Sequence, residues 1–299
     1  MAKIDIFKLL IQDYWKNIQE RNSLTGLSEL HHWYDALIHF KNYAYERNIT
    51  GAISRYRKIA DLVLEPLKNR ERWSANIEIS IWDNFKNECA NENIKHNEQV
   101  DPLKPSLNNK KSLEKFVWDI KTGDNTTIAI WAFNMLSRNK LKEAHQQLKT
   151  VWGVGDKIAS FYLRDIFWLG SNLSPSGSLV KIDNIHLIQP VDIWIERAAK
   201  AIGCEEKSKK EIAKYISSFE QKLGLRPGGG NIAFWMLGSN YVNDTVKFNN
   251  VISAINNQSD DSEKHATVIA DYFVDYYGKF GKILKEILAK SHNVEQLDD

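Results

Sequence analysis

Apolar side chains recur three and four residues apart along most of the chain, and this spacing limits the fold more than any other feature. It is clearest in the N-terminal third, in the segments IDIFKLLIQDYWKNI (4–18), LHHWYDALIHFKNYAYE (30–46), AISRYRKIADLVLEPL (52–67) and ANIEISIWDNFKNECA (75–90). Such spacing places the apolar side chains on one face of an α-helix. The sequence therefore predicts an all-α protein, built as two helical layers with a cleft between them.

Changes in composition divide the chain into three predicted parts. Residues 1–100 are predicted to form an N-terminal helical domain, and the polar, proline-containing stretch 91–112 to be a linker or exposed connection. Residues 112–242 are predicted to form the central helical core. Residues 243–299 are predicted to form acidic C-terminal helices that pack back on the protein.

The charge and cysteine content narrow the class of protein. Residues 101–230 carry 20 basic and 14 acidic side chains, and residues 231–299 carry 6 and 10. The basic excess is compatible with a polyanionic partner at the centre of the chain, although a solvated basic face is its commoner cause.

The chain has only two cysteines, Cys89 and Cys204, which excludes a four-cysteine iron–sulfur cluster, and no metal site is predicted. No apolar run is long enough to span a membrane, so an intracellular location, cytoplasmic or nucleoid-associated, is expected.

One stretch allows a small β-hairpin near residues 178–189. The apolar segments LVKI (179–182) and IHLI (185–188) flank Asp183-Asn184, a pair suited to a two-residue hairpin turn. A short β-ribbon is therefore expected to interrupt the helices.

A glycine turn joins two helical segments in LKEAHQQLKTVWGVGDKIASFYLRDIFWL. Gly153 and Gly155, on either side of Val154, are both expected to adopt a positive φ and so to turn the chain tightly. The turn would expose backbone N–H groups at the start of the next helix, where the helix dipole favours an anion such as a DNA phosphate. The alternative is a plain helix-to-helix turn, because short glycine motifs often occur without a ligand.

Lys157 follows the glycine turn at the second or third position of the next helix. The helix dipole disfavours a cation there by about 0.3–1 kcal/mol. A lysine amine in its neutral form attacks a carbonyl carbon to form a Schiff base. The alternative is a solvated lysine without a chemical role.

Asp192 lies at the predicted start of another helix, in QPVDIWIERAAKAIG (189–203). Aspartate is among the favoured N-cap residues, and the helix dipole stabilises its negative charge. By itself the residue is most simply interpreted as an ordinary cap.

Together, these two stretches resemble the helix-hairpin-helix DNA glycosylase superfamily, which includes endonuclease III and the 8-oxoguanine glycosylases. The family hairpin has an apolar residue, Pro, Gly-Val-Gly, any residue, Lys and then Ala two residues later, and here 151–159 reads VWGVGDKIA, with Trp152 in place of the proline. The family also has Val-Asp at the start of the following helix, which corresponds here to Val191-Asp192. The interval from Lys157 to Asp192 exceeds the family's usual one, so residues 171–188 are expected to be an insertion.

The resemblance implies a helix-hairpin-helix glycosylase-like fold and a combined DNA glycosylase and apurinic-site (AP) lyase. It implies that Lys157 is the nucleophile and Asp192 the essential carboxylate. Gly153, Val154 and Gly155 would bind DNA, with room for a structural monovalent cation at the hairpin. The expected partner is double-stranded DNA with a damaged base, an oxidised purine first, and the expected oligomeric state is a monomer.

The helix that carries Lys157 also offers residues for a base pocket. Phe161, Arg164 and Trp168 follow Lys157 at intervals of four, three and four, which places them on one helix face. An aromatic ring one turn from the lysine is suited to stacking on an extruded base. The alternative is that Phe161 and Trp168 are core residues.

Two other features complete the candidate residues. RPGGGNIAFW (226–235) is a second glycine-rich helix start that could line the base pocket. His31, His32 and His39 cluster on one predicted helix without a carboxylate at metal-ligand spacing, so they are interpreted as surface or interface residues.

Two other functions remain open on the sequence alone. A non-catalytic helix-hairpin-helix protein in a repair or defence assembly would keep the phosphate-binding turn and bind duplex DNA without turnover. A helical protein-interaction domain would show no salt-dependent affinity for DNA. The order of Lys157 and Asp192 along the chain favours the enzyme.

Overall fold

A computed structural model describes residues 3–22, 26–45, 53–95, 98–171, 182–242 and 244–256. These residues contain twelve α-helices and no β-strand beyond isolated bridges, which confirms the all-α prediction. The helices are α1 (Lys3–Asn22), α2 (Trp33–Ala44), α3 (Ile53–Leu64), α4 (Ala75–Asn91), α5 (Leu113–Gly123), α6 (Ile128–Ser137), α7 (Leu141–Leu148), α8 (Asp156–Gly170), α9 (Ile193–Ala201), α10 (Lys209–Lys222), α11 (Gly229–Trp235) and α12 (Thr245–Asn256). None of the helices in these ranges is long and apolar enough to cross a membrane.

Side-chain caps define where several helices begin. Ser112 accepts a hydrogen bond from the backbone N–H of Lys115 at the start of α5, and Thr127 accepts one from Ile130 at the start of α6. Ser208 caps α10 in the same way. Each cap satisfies an N–H group that the first turn of a helix leaves without an intrahelical partner.

The first of two compact units contains the described residues of 1–21 and 191–256, so α1 belongs with the C-terminal half of the chain. Phe7 of α1 packs edge-on against Phe219 of α10 at 5.8 Å and Phe234 of α11 at 5.2 Å between ring centroids. Phe7 and Phe234 are buried and Phe219 is half-buried, and their packing holds α1 in this unit, which the predicted domain 1–100 did not anticipate. Of the predicted acidic C-terminal helices, residues 257–299 lie outside the described residues.

The second unit contains the described residues of 22–174 and 180–190, so the predicted boundary near residue 100 falls inside it. Its core joins α2 to α8 through Phe40 and Tyr162, whose ring centroids lie 4.7 Å apart. Phe116 of α5 lies 6.4 Å from Phe40 and 6.1 Å from Trp131 of α6. The packing is continuous from α2 to α8, which includes both sides of the predicted boundary.

The predicted β-ribbon is wrong in its described half. The turn at Asp183-Asn184 is present, with Asn184 in the left-handed region at φ 59°, but Ile185–Ile188 forms a 3₁₀ helix. Leu187 donates its N–H to the Asn184 carbonyl at 2.8 Å, and Ile188 is buried. A short apolar run fits either conformation, and here the local turn and burial of one side chain favour the helix. Residues 179–181 of the other predicted half lie outside the described residues.

Candidate functional site

The glycine turn joins α7 to α8, as predicted, but its two glycines differ. Gly153 has φ 72°, and Val154 donates its N–H to the Val151 carbonyl at 3.2 Å. Gly155 instead is the N-cap of α8 in an extended conformation, with φ −101° and ψ −172°. The expectation of a positive φ at Gly155 is therefore wrong. The turn needs left-handed backbone at Gly153, whereas the entry into α8 uses backbone angles that any residue can adopt.

The two helices of the hairpin also contact each other through side chains. His145 of α7 is buried, and its Nε2 lies 3.3 Å from Oγ of Ser160 on α8. Burial lowers the pKa of His145, while the charge of Asp156 opposes that change. The buried contact therefore favours a neutral imidazole between the two helices.

The segment before α5 is hydrogen-bonded to the hairpin turn. Lys111 donates its N–H to the Thr150 carbonyl at 2.9 Å, and its own carbonyl accepts the N–H of Trp152 at 3.0 Å. The Trp152 indole donates to the Pro105 carbonyl at 3.1 Å. The described residues of 91–112 contain no helix after α4 ends at Asn91. Pro105 and Lys111 are nevertheless hydrogen-bonded to the hairpin turn, so this part of the stretch is anchored and is not the linker that was predicted.

Lys157 is the second residue of α8 and is half-buried. Its Nζ lies 5.7 Å from the centroid of the Phe161 ring, within the range of a cation–π interaction. The preceding residue, Asp156, provides the negative charge that a helix N-terminus favours, and it is paired with Lys149 at 2.6 Å. Among the residues that the structure describes, Asp156 is thus paired with Lys149, and no carboxylate pairs with the neighbouring Lys157 amine.

The predicted base-pocket residues share one face with Lys157, but they are largely buried. The Arg164 guanidinium carbon lies 4.6 Å from the Phe161 ring centroid, on the same ring that Lys157 approaches. Arg164 and Trp168 have 0% exposed surface and Phe161 has 7%. This burial favours the core interpretation for Arg164 and Trp168, and leaves Phe161 as the most accessible of the three.

A buried polar network surrounds Arg164. Its Nε donates to Oδ1 of Asp165 at 2.8 Å, and the Tyr43 hydroxyl donates to Oδ2 of the same carboxylate at 2.9 Å. The buried ion pair is thus satisfied by hydrogen bonds, as a charge in a core requires. The network joins α2 to α8 inside the second unit.

His39 corrects the interpretation of the three histidines as surface or interface residues. His31 and His32 are exposed and precede α2, but His39 is buried on it. Burial lowers the pKa of His39 to about 4, with the charge of Asp165 opposing the change. Within the described part of the chain, no cluster of His, Cys, Asp and Glu has the arrangement of a metal site.

Asp192 is the N-cap of α9, as predicted. Its Oδ1 accepts hydrogen bonds from the backbone N–H groups of Trp194 at 3.0 Å and Ile195 at 3.1 Å. The residue is half-buried. Lys157 belongs to the second compact unit and Asp192 to the first.

The sequence alone missed the packing that supports the start of α9. The Trp194 ring lies against Gly238, where an added Cβ would be 2.5 Å from a ring carbon. Phe248 approaches the ring edge-on at 5.2 Å, and the Arg197 guanidinium lies 4.8 Å from the ring centroid. Because Trp194 also donates its N–H to Asp192, this packing positions the carboxylate.

The second glycine-rich helix start, at the beginning of α11, is closed by an internal carboxylate. Glu220, which is 2% exposed, accepts hydrogen bonds from the N–H groups of Gly228 at 2.9 Å and Asn231 at 3.0 Å. A Cβ at Gly230 would lie 2.9 Å from Cγ of Glu220. These glycines therefore allow a carboxylate to cap the helix, and they do not line a base pocket.

The hairpin carbonyl groups do not fit the monovalent cation that the resemblance implies. The Lys149 carbonyl accepts a hydrogen bond from Lys110 Nζ at 2.6 Å, and the Thr150 carbonyl accepts one from the N–H of Lys111. The ammonium of Lys110 already places a positive charge at these oxygens. We assign no catalytic step to a bound cation.

No protein-family model, curated protein or solved structure matches this chain.

Proposed function

We propose that this chain is a DNA glycosylase with AP-lyase activity that removes a damaged base from duplex DNA, with an oxidised purine as the first substrate to test. The observation that carries the proposal is the placement of Lys157, a half-buried residue on the first turn of α8 directly after the glycine hairpin. A helix-hairpin-helix glycosylase-like fold is part of the same proposal.

The chemistry begins with extrusion of the damaged nucleotide, because the target atoms are shielded within the base stack. The Lys157 amine attacks C1′ of the sugar, the C1′–N bond breaks, and the base leaves with the electron pair and takes up a proton. Loss of the amine proton and opening of the sugar leave an imine between Lys157 and C1′. Loss of a C2′ proton then expels the 3′ phosphate, which nicks the strand, and water hydrolyses the imine to release the lysine.

Asp192 is assigned the electrostatic role in this scheme. A carboxylate near the sugar stabilises the positive charge that develops as the base leaves. Two backbone hydrogen bonds hold the Asp192 carboxylate in one orientation, so its negative charge has a fixed position before the substrate binds.

The hairpin is assigned the role of binding a DNA phosphate. The left-handed Gly153 turns the chain, and α8, with 15 residues, begins three residues later with N–H groups that have no intrahelical partner. A phosphate at such a helix start positions a protein on DNA without reading the base sequence.

The test is incubation of the full chain with a panel of duplexes that each carry one lesion, with and without borohydride. Reduction of the imine traps a protein–DNA adduct, which we expect for the parent with one or more lesions and not with undamaged duplex. Lys157→Gln should form no adduct, whereas Lys142→Gln, which alters an exposed lysine of α7, should behave as the parent.

Asp192→Asn separates the two proposed roles of that residue. Asparagine is also a good N-cap, so the variant should fold and bind duplex within a few-fold of the parent while losing base release. Salt-dependent duplex binding by the parent without any adduct would favour the non-catalytic alternative. The absence of both adduct and DNA binding would favour a protein-interaction domain.

A further inference from the structure

Residues 104–111, called here the 104–111 loop, lie alongside the glycine turn. Backbone hydrogen bonds join Lys111 to Thr150 and Trp152 on both sides, at 2.9 and 3.0 Å. The Trp152 indole adds a third bond, to the Pro105 carbonyl at 3.1 Å. The loop is therefore fixed beside the hairpin, and a ligand large enough to extend past the hairpin would also contact the loop.

Two lysines of the loop carry charges that no carboxylate neutralises. Lys104 Nζ lies 4.7 Å from the centroid of the Trp152 ring, and Lys110 Nζ donates to the Lys149 carbonyl at 2.6 Å. Within the described part of the chain, neither ammonium group is paired with an acidic side chain. The Trp152 ring orients the Lys104 ammonium and the Lys149 carbonyl orients that of Lys110, and neither contact neutralises the positive charge.

The carboxylates near the loop already have partners. Asp119 is bound by Lys111 at 2.7 Å, and Asp156 by Lys149 at 2.6 Å. Glu78 accepts the backbone N–H of Ser106 at 2.8 Å and is 7% exposed. The exposed charge that remains on the loop is therefore positive.

An exposed leucine flanks the two-asparagine turn at the tip of the loop. Leu107 and Lys110 exchange two backbone hydrogen bonds, at 2.9 and 3.0 Å, across a turn in which Asn108 has φ 55°. Leu107 is 57% exposed and lies between Lys104 and Lys110 in the sequence. An apolar side chain with cations on either side is suited to DNA, whose sugars and base faces are apolar and whose phosphates are anionic.

We propose that the 104–111 loop is a second DNA-binding element, in which Lys104 and Lys110 contact phosphates and Leu107 contacts sugars or base edges in a groove. Charge complementarity selects this partner: the loop offers two separate cations with an exposed leucine between them in the sequence, which matches a polyanion that also has apolar sugars and base faces. The inference rests on the proposed function for the identity of the partner, duplex DNA, but it requires no base excision.

The test measures binding of the full chain to a fluorescently labelled, undamaged duplex by anisotropy over a series of salt concentrations. The double variant Lys104→Gln/Lys110→Gln should bind more weakly, and the slope of log K against log salt should fall by about 2, since each phosphate contact contributes about 0.9. Leu107→Ser should lower the affinity at every salt concentration and leave the slope unchanged.

Matched controls lie on α3 of the same unit. Lys58 is exposed, and Leu62 is 55% exposed, so Lys58→Gln and Leu62→Ser make the same chemical changes away from the loop. Both should bind as the parent does. Urea unfolding midpoints equal to that of the parent establish that each variant is folded.

Three results would overturn the inference: loop variants that bind as the parent does, controls that lose affinity equally, or a parent that binds anionic vesicles but not duplex. The borohydride experiment keeps the two proposals separate. An adduct with lesion DNA together with unchanged binding by the loop variants would refute the loop alone, whereas loop-dependent binding without any adduct would refute the enzyme alone.

Discussion

Replacing the two hairpin glycines by alanine, one at a time, tests the difference in their backbone conformations. Gly153 has φ 72°, where an L-residue costs about 1–2 kcal/mol more than in right-handed backbone. Alanine also restricts the unfolded chain, which offsets about 0.4–1 kcal/mol of that cost. We therefore expect Gly153→Ala to lower the free energy of unfolding by about 1 kcal/mol.

Gly155→Ala should cost less. Its φ of −101° suits any residue, and an added Cβ would meet no atom within 4 Å. The effect on the unfolded chain stabilises by about 0.4–1 kcal/mol, and the preference for glycine over alanine at an N-cap opposes it, so the free energy of unfolding should change by less than about 0.5 kcal/mol. Gly153→Ala should therefore be the less stable variant by about 0.5–1 kcal/mol, although the two positions lie two residues apart in one turn.

Urea unfolding followed by tryptophan fluorescence measures this difference, provided that the slope m is the same for both variants. Gly224→Ala provides the reference, because Gly224 has φ 63° and an added Cβ would meet no atom within 4 Å, so that variant combines the cost of left-handed backbone with the same effect on the unfolded chain and adds no steric contact. If Gly155→Ala destabilises the protein as much as Gly153→Ala does, the assignment of conformations in the hairpin is refuted. Under the proposed function, only Gly153→Ala should weaken duplex binding.

Three further changes test the packing and the buried charges. Gly238→Ala places a methyl group 2.5 Å from the Trp194 ring, so we expect a loss of about 1–3 kcal/mol in urea unfolding, and a variant as stable as the parent would contradict the packing. Burial raises the pKa of Glu114 well above 4.5, so the free energy of unfolding should fall as the pH rises from the unfolded pKa to the folded pKa. Glu114→Gln should remove this dependence. The urea midpoint of the variant, compared with that of the parent at the same pH, should therefore rise with pH. Burial lowers the pKa of His39 from 6.5 to about 4, so stability should be lost as the pH falls across that interval, and His39→Leu should lose less than the parent over the same titration.

Features that depend on neighbours along the chain were predictable from the sequence. The start of α8 and the N-cap at Asp192 were both predicted, because the first follows from a local glycine turn and the second from a local side-chain acceptor. The positive φ of Gly153 was also predicted, but the same reasoning was wrong for Gly155. Glycine permits left-handed backbone without requiring it, so its presence alone does not decide the conformation.

Features that depend on distant residues had no signal in the sequence. The bonds between Lys111 and the hairpin turn use backbone groups, which every residue carries, and they join segments about 40 residues apart. The cap that Glu220 provides for α11 comes from the preceding helix, but it depends on how α10 packs against α11, and the glycines that admit it resemble a ligand-binding motif. Periodicity locates helices, but it does not indicate which polar group another helix covers.

Lys157 places a cation at the end of α8 where the helix dipole disfavours it, and the free energy of this placement affects how every Lys157 variant is interpreted. The dipole costs about 0.3–1 kcal/mol. The Phe161 ring at 5.7 Å returns about 0.5–1 kcal/mol through the cation–π interaction. Since the two effects oppose each other and are of similar size, Lys157→Gln should change the free energy of unfolding by less than about 0.5 kcal/mol. A larger loss in urea unfolding would mean that Lys157 has a structural role, whereas an unchanged midpoint means that a missing borohydride adduct in this variant reports the lost amine and not a damaged fold.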